Sequence, residues 1–86
     1  PQNSVSVDRI YPNPTKGEII IRLSGVTKNE EEIQIVGVAG NVLLRKVIKQ
    51  GSETDSFDAS WLPAGMYFLQ ILSKGQVITV NKFIKQ

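Results

Sequence analysis

Leu62-Pro63-Ala64-Gly65-Met66-Tyr67-Phe68-Leu69-Gln70-Ile71-Leu72, then Ser73-Lys74-Gly75-Gln76, then Val77 through Ile84 with a closing Lys85-Gln86, is the stretch that decides how this chain folds. Two β-rich runs flank a Lys74-Gly75 turn, which reads as a β-hairpin. If the turn has two residues, paired positions sum to a constant: Leu72 faces Val77, Ile71 faces Ile78, Leu69 faces Val80, Tyr67 faces Lys82, and Met66 faces Phe83. Tyr67, Leu69, Ile71, Ile78 and Val80 then line an inner face, with Lys82 snorkelling at its rim past the tyrosine ring. The outer face is semi-apolar, with Met66, Phe68, Leu72, Val77 and Phe83 set among Gln70, Thr79, Asn81 and Lys85. Such a face reads as a docking site or as a surface covered by a parent protein or a neighbour.

Upstream, period-two alternation recurs between clusters of turn residues, and no window of similar length carries a helical period. Val5 and Val7 alternate in a first strand that stops at Tyr11-Pro12-Asn13-Pro14-Thr15-Lys16-Gly17, because two prolines and a glycine cannot continue a ladder. Glu18 to Ser24 is a second strand, with Ile19, Ile21 and Leu23 on one face and Ile20, Arg22 and Ser24 on the other. Gly25 to Glu31 is a polar loop. Ile33 and Ile35 open a third strand that ends near Ala39-Gly40-Asn41, where Gly-Asn suits a tight hairpin leading to Val42–Ile48. Gln50 to Asp55 is a loop, and Phe57 with Ala59 mark a fifth strand. The closing hairpin brings the count to seven, the number of an immunoglobulin-like β-sandwich of antiparallel strands. In that fold a tyrosine near the start of the sixth strand bonds back to upstream backbone; Tyr67 stands there, with Leu69 at the following core position. An ordinary half-buried tyrosine is the alternative.

Composition narrows the function. At 86 residues with 41% hydrophobic content the chain is one domain, residues 1–86, in which 1–4 read as linker. Without cysteine there is neither a disulfide framework nor a thiolate site, and without histidine there is no Ser-His-Asp triad and no usual zinc or iron set. The net charge of +2 is spread along the chain, with no basic stripe for nucleic acid. No apolar run approaches a membrane span. The chain starts at Pro1 and its one methionine is Met66, so a piece of a longer precursor is expected.

Other polar and aromatic groups have plainer readings. Asp8, Asn13, Thr15, Glu18 and Glu30-Glu31-Glu32 match no calcium loop and read as turn stabilisers and a solvated acidic run. Asp55 and Asp58 are expected to face opposite ways on a strand, which discounts a carboxylate pair. Trp61, Tyr11 and Tyr67 could form a sugar-stacking platform, but six aromatics in 86 residues is an ordinary core complement. Core or turn packing is expected for them, with Trp61 the least committed because it sits in a turn.

Four segments together resemble the C-terminal sorting domain of the type IX secretion system. These are Tyr11-Pro12-Asn13-Pro14-Thr15-Lys16-Gly17 before an Ile-rich strand, Ile33-Gln34-Ile35 leading to Gly40, Leu62-Pro63-Ala64-Gly65-Met66-Tyr67, and Lys82-Phe83-Ile84-Lys85. The resemblance runs from about Tyr11 to Gln86. Val36, Gly37 and Asn41 depart from the family pattern, which puts a specific role for that turn in doubt and leaves its geometry intact. The resemblance implies a non-catalytic signal without metal or cofactor. Cargo carrying such a domain passes through the periplasm and crosses the outer membrane by the type IX translocon, and a sortase-like peptidase commonly removes the domain while attaching the cargo to anionic lipopolysaccharide at the cell surface, or the cargo is secreted. Implied partners are the translocon, a shuttle protein, that peptidase and an upstream cargo domain in the same precursor; edge-strand self-association is a further expectation. Met66, Phe68, Lys82, Phe83 and Lys85 are the expected recognition residues. Pro12, Asn13, Pro14, Gly17, Gly40, Leu62, Pro63, Gly65 and Tyr67 are the motif and turn residues. The competing readings are a fibronectin-like or carbohydrate-binding accessory module of a secreted enzyme and, more remotely, an enzyme.

Overall fold

Alternating apolar residues separated by turn formers give seven strands and no helix among the residues described in this computed structural model, 7–24 and 30–86. They are β1 (Val7–Tyr11), β2 (Glu18–Leu23), β3 (Glu31–Gly37), β4 (Val42–Ile48), β5 (Thr54–Asp58), β6 (Gly65–Ser73) and β7 (Gln76–Lys85). The expected linker at 1–4, the contribution of Val5 and most of the Gly25–Glu31 loop lie outside the described residues. Two antiparallel sheets form, in the orders β1-β2-β5 and β4-β3-β6-β7. This is an immunoglobulin-like sandwich in which the fourth strand sits beside the third, whereas the constant-type arrangement places it on the other sheet.

The core lies between the sheets. Ile19, Ile21, Leu23 and Phe57 come from one side, and Ile33, Ile35, Ile48, Tyr67, Leu69, Ile71 and Phe83 from the other. At its margin Lys46 of β4 reaches across to the Asp55 carboxylate at 2.9 Å and also donates to the Ser56 carbonyl, tying the sheets together. Ala59 follows the end of β5 and is fully buried.

Turn chemistry fixes the hairpins. Lys74 and Gly75 both hold positive φ, 52° and 81°, the two-residue turn whose twist matches that of the flanking strands. The β3–β4 connection is longer than the expected Gly40-Asn41 turn. Gly37 N–H donates to Asn41 O at 3.0 Å, so the loop is Val38-Ala39-Gly40, with Gly40 supplying the left-handed residue at φ 89° that a three-residue hairpin needs. The Tyr11–Pro12 and Asn13–Pro14 peptide bonds are cis.

The register of the closing hairpin corrects the expectation. Leu72 does face Val77, but a bulge at Ile78 then shifts the pairing, giving Ile71↔Thr79, Leu69↔Asn81, Tyr67↔Phe83, Met66↔Ile84 and Gly65↔Lys85. A one-residue slip sends every later side chain to the opposite face. Phe83 is therefore fully buried, and Lys85 is only 8% exposed. Val80, expected inside, is exposed, as is Lys82, which faces Phe68 rather than Tyr67. Ile78 stays half-buried against the core. The physical reason is Phe83: a regular ladder would leave its ring in water and turn Lys82 inward. The bulge places the ring 5.6 Å from Tyr67 and 6.2 Å from Phe57, centroid to centroid, where burying a phenylalanine stabilises the fold by about 1.5–3 kcal/mol.

Candidate recognition site at the distal end of the sandwich

Strand direction sorts the connections into two ends. β1, β3, β5 and β7 run toward one end, and β2, β4 and β6 start from it. That end gathers the Pro12–Gly17 turn, the Val38–Gly40 turn, the Ala59–Ala64 loop and the last residues of β7. The chain preceding Val7 joins at the opposite end, beside Leu23. The four segments singled out in the sequence thus close on one another at the end remote from the N-terminal side of β1.

The first and last of them are laced together. Ile84 N–H donates to Asn13 Oδ1 at 2.9 Å, and Asn13 Nδ2 donates to Lys82 O at 3.4 Å. Thr15 N–H donates to Ile84 O at 2.9 Å, and Gln86 N–H donates to Thr15 O at 2.8 Å. Thr15 is fully buried, and its hydroxyl accepts from Gly17 N–H at 3.1 Å and donates to Glu18 O at 2.7 Å. The hydroxyl stiffens the turn and the backbone holds the terminal strand. Sequence reasoning placed Asn13 and Thr15 in a turn but missed this pairing, which joins residues about seventy positions apart.

The third segment shapes the end wall. The Tyr67 hydroxyl donates to the Pro63 carbonyl at 2.6 Å, the tyrosine corner expected from the sequence. Gly65 holds φ 153°, a conformation side chains resist, and so lets β6 start directly after that corner. Leu62 is buried beneath the loop. Trp61 is not in the core: it is 52% exposed, with Nε1–H bonded to Asp58 O at 2.8 Å. The Asp58 carboxyl is held below its usual range by the Ser60 hydroxyl and backbone N–H, helped by the Lys85 ammonium. Asp55 instead pairs with Lys46, so the two aspartates do different work. Between this loop and the β3–β4 turn lies an open pocket of about 390 Å³, lined by Val38, Leu43, Trp61, Pro63 and Met66 among others. Its lining carries no charged side chain.

The structure separates the expected recognition residues. Cross-strand pairs Met66–Ile84, Phe68–Lys82 and Gln70–Val80 place those side chains on the outer face of β6 and β7. Phe83 and Lys85, expected on that face, point inward, and Lys85 Nζ donates to Gln86 O at 2.9 Å. Ile84 and Val80 were missed as surface residues. The signal that finds them is Phe83, since assigning the largest apolar residue of the strand to the core dictates the alternation back through Val80.

A family model for the secretion system C-terminal sorting domain matches residues 9–86. The chain belongs to this family. No curated protein and no solved structure matches it. The molecule is thus a type IX C-terminal sorting signal, of a family that is non-catalytic in general and that directs proteins to the outer membrane, the cell surface or the exterior. Within the sorting domain the match takes in all four segments gathered at the distal end.

Proposed function

We propose that residues 1–86 form one non-catalytic sorting domain, with 1–4 as linker to an upstream cargo domain. The type IX translocon, together with a shuttle protein, reads it at its distal end during passage through the periplasm. A sortase-like peptidase then removes it as cargo is attached to the surface. The observation that carries this reading is the gathering of the family's segments at the end remote from Val7, beside an outer face on which Met66, Val80, Lys82 and Ile84 are exposed and Phe68 is half-buried. A cargo attached ahead of Val7 would leave that end free. Phe83 and Lys85 support recognition from inside, by holding the strand that presents Lys82 and Ile84.

The test is a signal-peptide-bearing reporter fused to residues 1–86, compared in strains with and without the translocon. Surface display that requires the translocon, and that fails for Lys82→Glu/Ile84→Asp while the melting temperature of the domain holds, is the expected result. Display independent of the translocon, or unchanged in the double variant, overturns the proposal. The exposed Trp61 favours a carbohydrate-binding accessory module as a second reading; glycan binding by residues 1–86 that Trp61→Ala abolishes is the result it requires.

A further inference from the structure

Trp61 is held in a fixed pose outside the core. Its indole N–H is bonded to Asp58 O at 2.8 Å, and the Asp58 carboxylate in turn accepts from Ser60 N–H at 2.9 Å. Ala59 N–H donates to Gly17 O at 2.9 Å and Leu62 N–H donates to Ala59 O at 3.0 Å, so the loop that carries the ring is pinned to the Pro12–Gly17 turn on one side and to buried Leu62 on the other. The ring itself is 52% exposed and adds nothing to the core cluster. A tryptophan fixed in this way is the kind of residue that carries binding energy at a protein interface. It lines the open pocket of about 390 Å³ between its own loop and the β3–β4 turn, together with Val38, Leu43, Pro63 and Met66.

The lining selects its occupant. It holds no charged side chain, and two of its three polar side chains are already bonded, the Trp61 N–H to Asp58 O and the Tyr67 hydroxyl to Pro63 O at 2.6 Å; Asn41 is the third. A sugar entering here would press hydroxyls against side chains that cannot bond them, and an ionised group would be desolvated without a counter-charge. A bulky apolar side chain leaves no polar group orphaned. The volume lies at the lower end of the roughly 300–1,000 Å³ of ligand pockets, space for one or two such side chains. Met66 belongs both to this lining and, opposite Ile84, to the outer face of β6 and β7, so a protein lying on that face meets the pocket without a break.

We propose that the pocket is an anchor site for a protein partner, taking one uncharged, bulky apolar side chain, aromatic or leucine-like, from the protein that covers the outer face of β6 and β7. The inference rests on the recognition reading and names the contact that deepens it. Trp61 offers the flat of its ring, and Val38, Leu43 and Met66 complete the apolar surround.

Trp61 and Met66 are each the only residue of their type in the 86-residue chain, so the indole N–H and the methionine methyl give unambiguous NMR reports of the pocket. The chain is titrated with N-acetyl-phenylalanine amide, N-acetyl-leucine amide, N-acetyl-glutamine amide and methyl glucoside. Saturable shifts of both signals are expected with the phenylalanine or leucine amide, at an affinity about fivefold or more above that for the glutamine amide and the glucoside. Val38 is 71% exposed, so Val38→Asp adds a carboxylate to the lining without disturbing the core; it should weaken apolar binding about tenfold or more at an unchanged melting temperature. No saturable shift with either apolar amide overturns the anchor site. So does stronger binding of the glucoside, which would make the pocket a glycan site, or unaltered binding in Val38→Asp. In the reporter fusion Val38→Asp is expected to lower display. Normal display of Val38→Asp with loss of display in Lys82→Glu/Ile84→Asp overturns the anchor site and leaves the recognition reading standing, whereas normal display of both overturns the two together.

Discussion

Replacing Phe83 with alanine should unfold the end of the sandwich rather than trim its surface. The ring is fully buried, stacked at 5.6 Å on Tyr67 and edge-on at 6.2 Å to Phe57, so truncation leaves a cavity bounded by both sheets. Phenylalanine-to-alanine changes in such sites cost about 3–5 kcal/mol. Domains are stabilised by roughly 0.05–0.15 kcal/mol per residue, or about 4–13 kcal/mol for a chain of this length, so the loss is a large share of the total. At roughly 4–8 °C per kcal/mol for a small domain, the melting temperature should fall by about 12–40 °C. Thermal unfolding of residues 1–86 followed by circular dichroism measures it, with exposed Lys82→Ala as control, expected to stay within about 0.5 kcal/mol of wild type. A drop of only a few degrees for Phe83→Ala would refute the bulged register. The side chain would then lie on the outer face, as an unbroken Lys74-Gly75 hairpin implies, and Lys82 would be the residue turned inward.

Two further outcomes follow from single groups. Tyr67→Phe removes the 2.6 Å bond to Pro63 O and should cost roughly 0.5–1.5 kcal/mol, read as a lower urea midpoint at constant slope; an unchanged midpoint would deny the corner. Burial raises the Glu31 carboxyl above its ordinary 4.5, opposed by a hydrogen bond from the Ser73 hydroxyl, and Oε1 is buried without a partner. The fold favours the protonated form, so this group's contribution is fullest below pH 4.5 and is lost as pH rises through the folded value. Glu31→Gln should accordingly melt above wild type at neutral pH, with the gap closing in acid; parallel melting curves across that range would show that the carboxylate is not strained.

Seven strands, the faces of β2 and β6, the Lys74-Gly75 turn and the Tyr67 corner were legible in the sequence because each rests on local rules: alternation, turn residues with positive φ, and a tyrosine just after Gly65. What was not legible is non-local. Nothing near Ile78 announces a bulge; it arises because Phe83, five residues on, packs against Phe57 and Tyr67. Thr15 looks like any polar turn residue until the end of the chain closes over it. Trp61 was the least committed aromatic for a sound reason, since a turn can satisfy its N–H from one side and leave its ring in water.

This placement changes what experiments on the terminus mean. Lys82-Phe83-Ile84-Lys85 reads in sequence as one address, yet alternate members point in opposite directions, with Lys82 and Ile84 outward and Phe83 and Lys85 inward. Deleting Lys82–Gln86 would remove outward side chains, a core ring and the β7 partners of Asn13 and Thr15 at once. Cargo retained in the periplasm after that deletion therefore reports lost folding as readily as lost recognition. A charge reversal at Lys82 with an acidic residue at Ile84 leaves the residues of the core unchanged, and Asn13→Ala leaves both side chains in place while loosening the strand that aligns them. If translocation falls in the first case with the fold intact, and in the second in proportion to amide hydrogen exchange at Ile84, the signal is the held geometry of the last strand. The string of residues at its end would not by itself be enough.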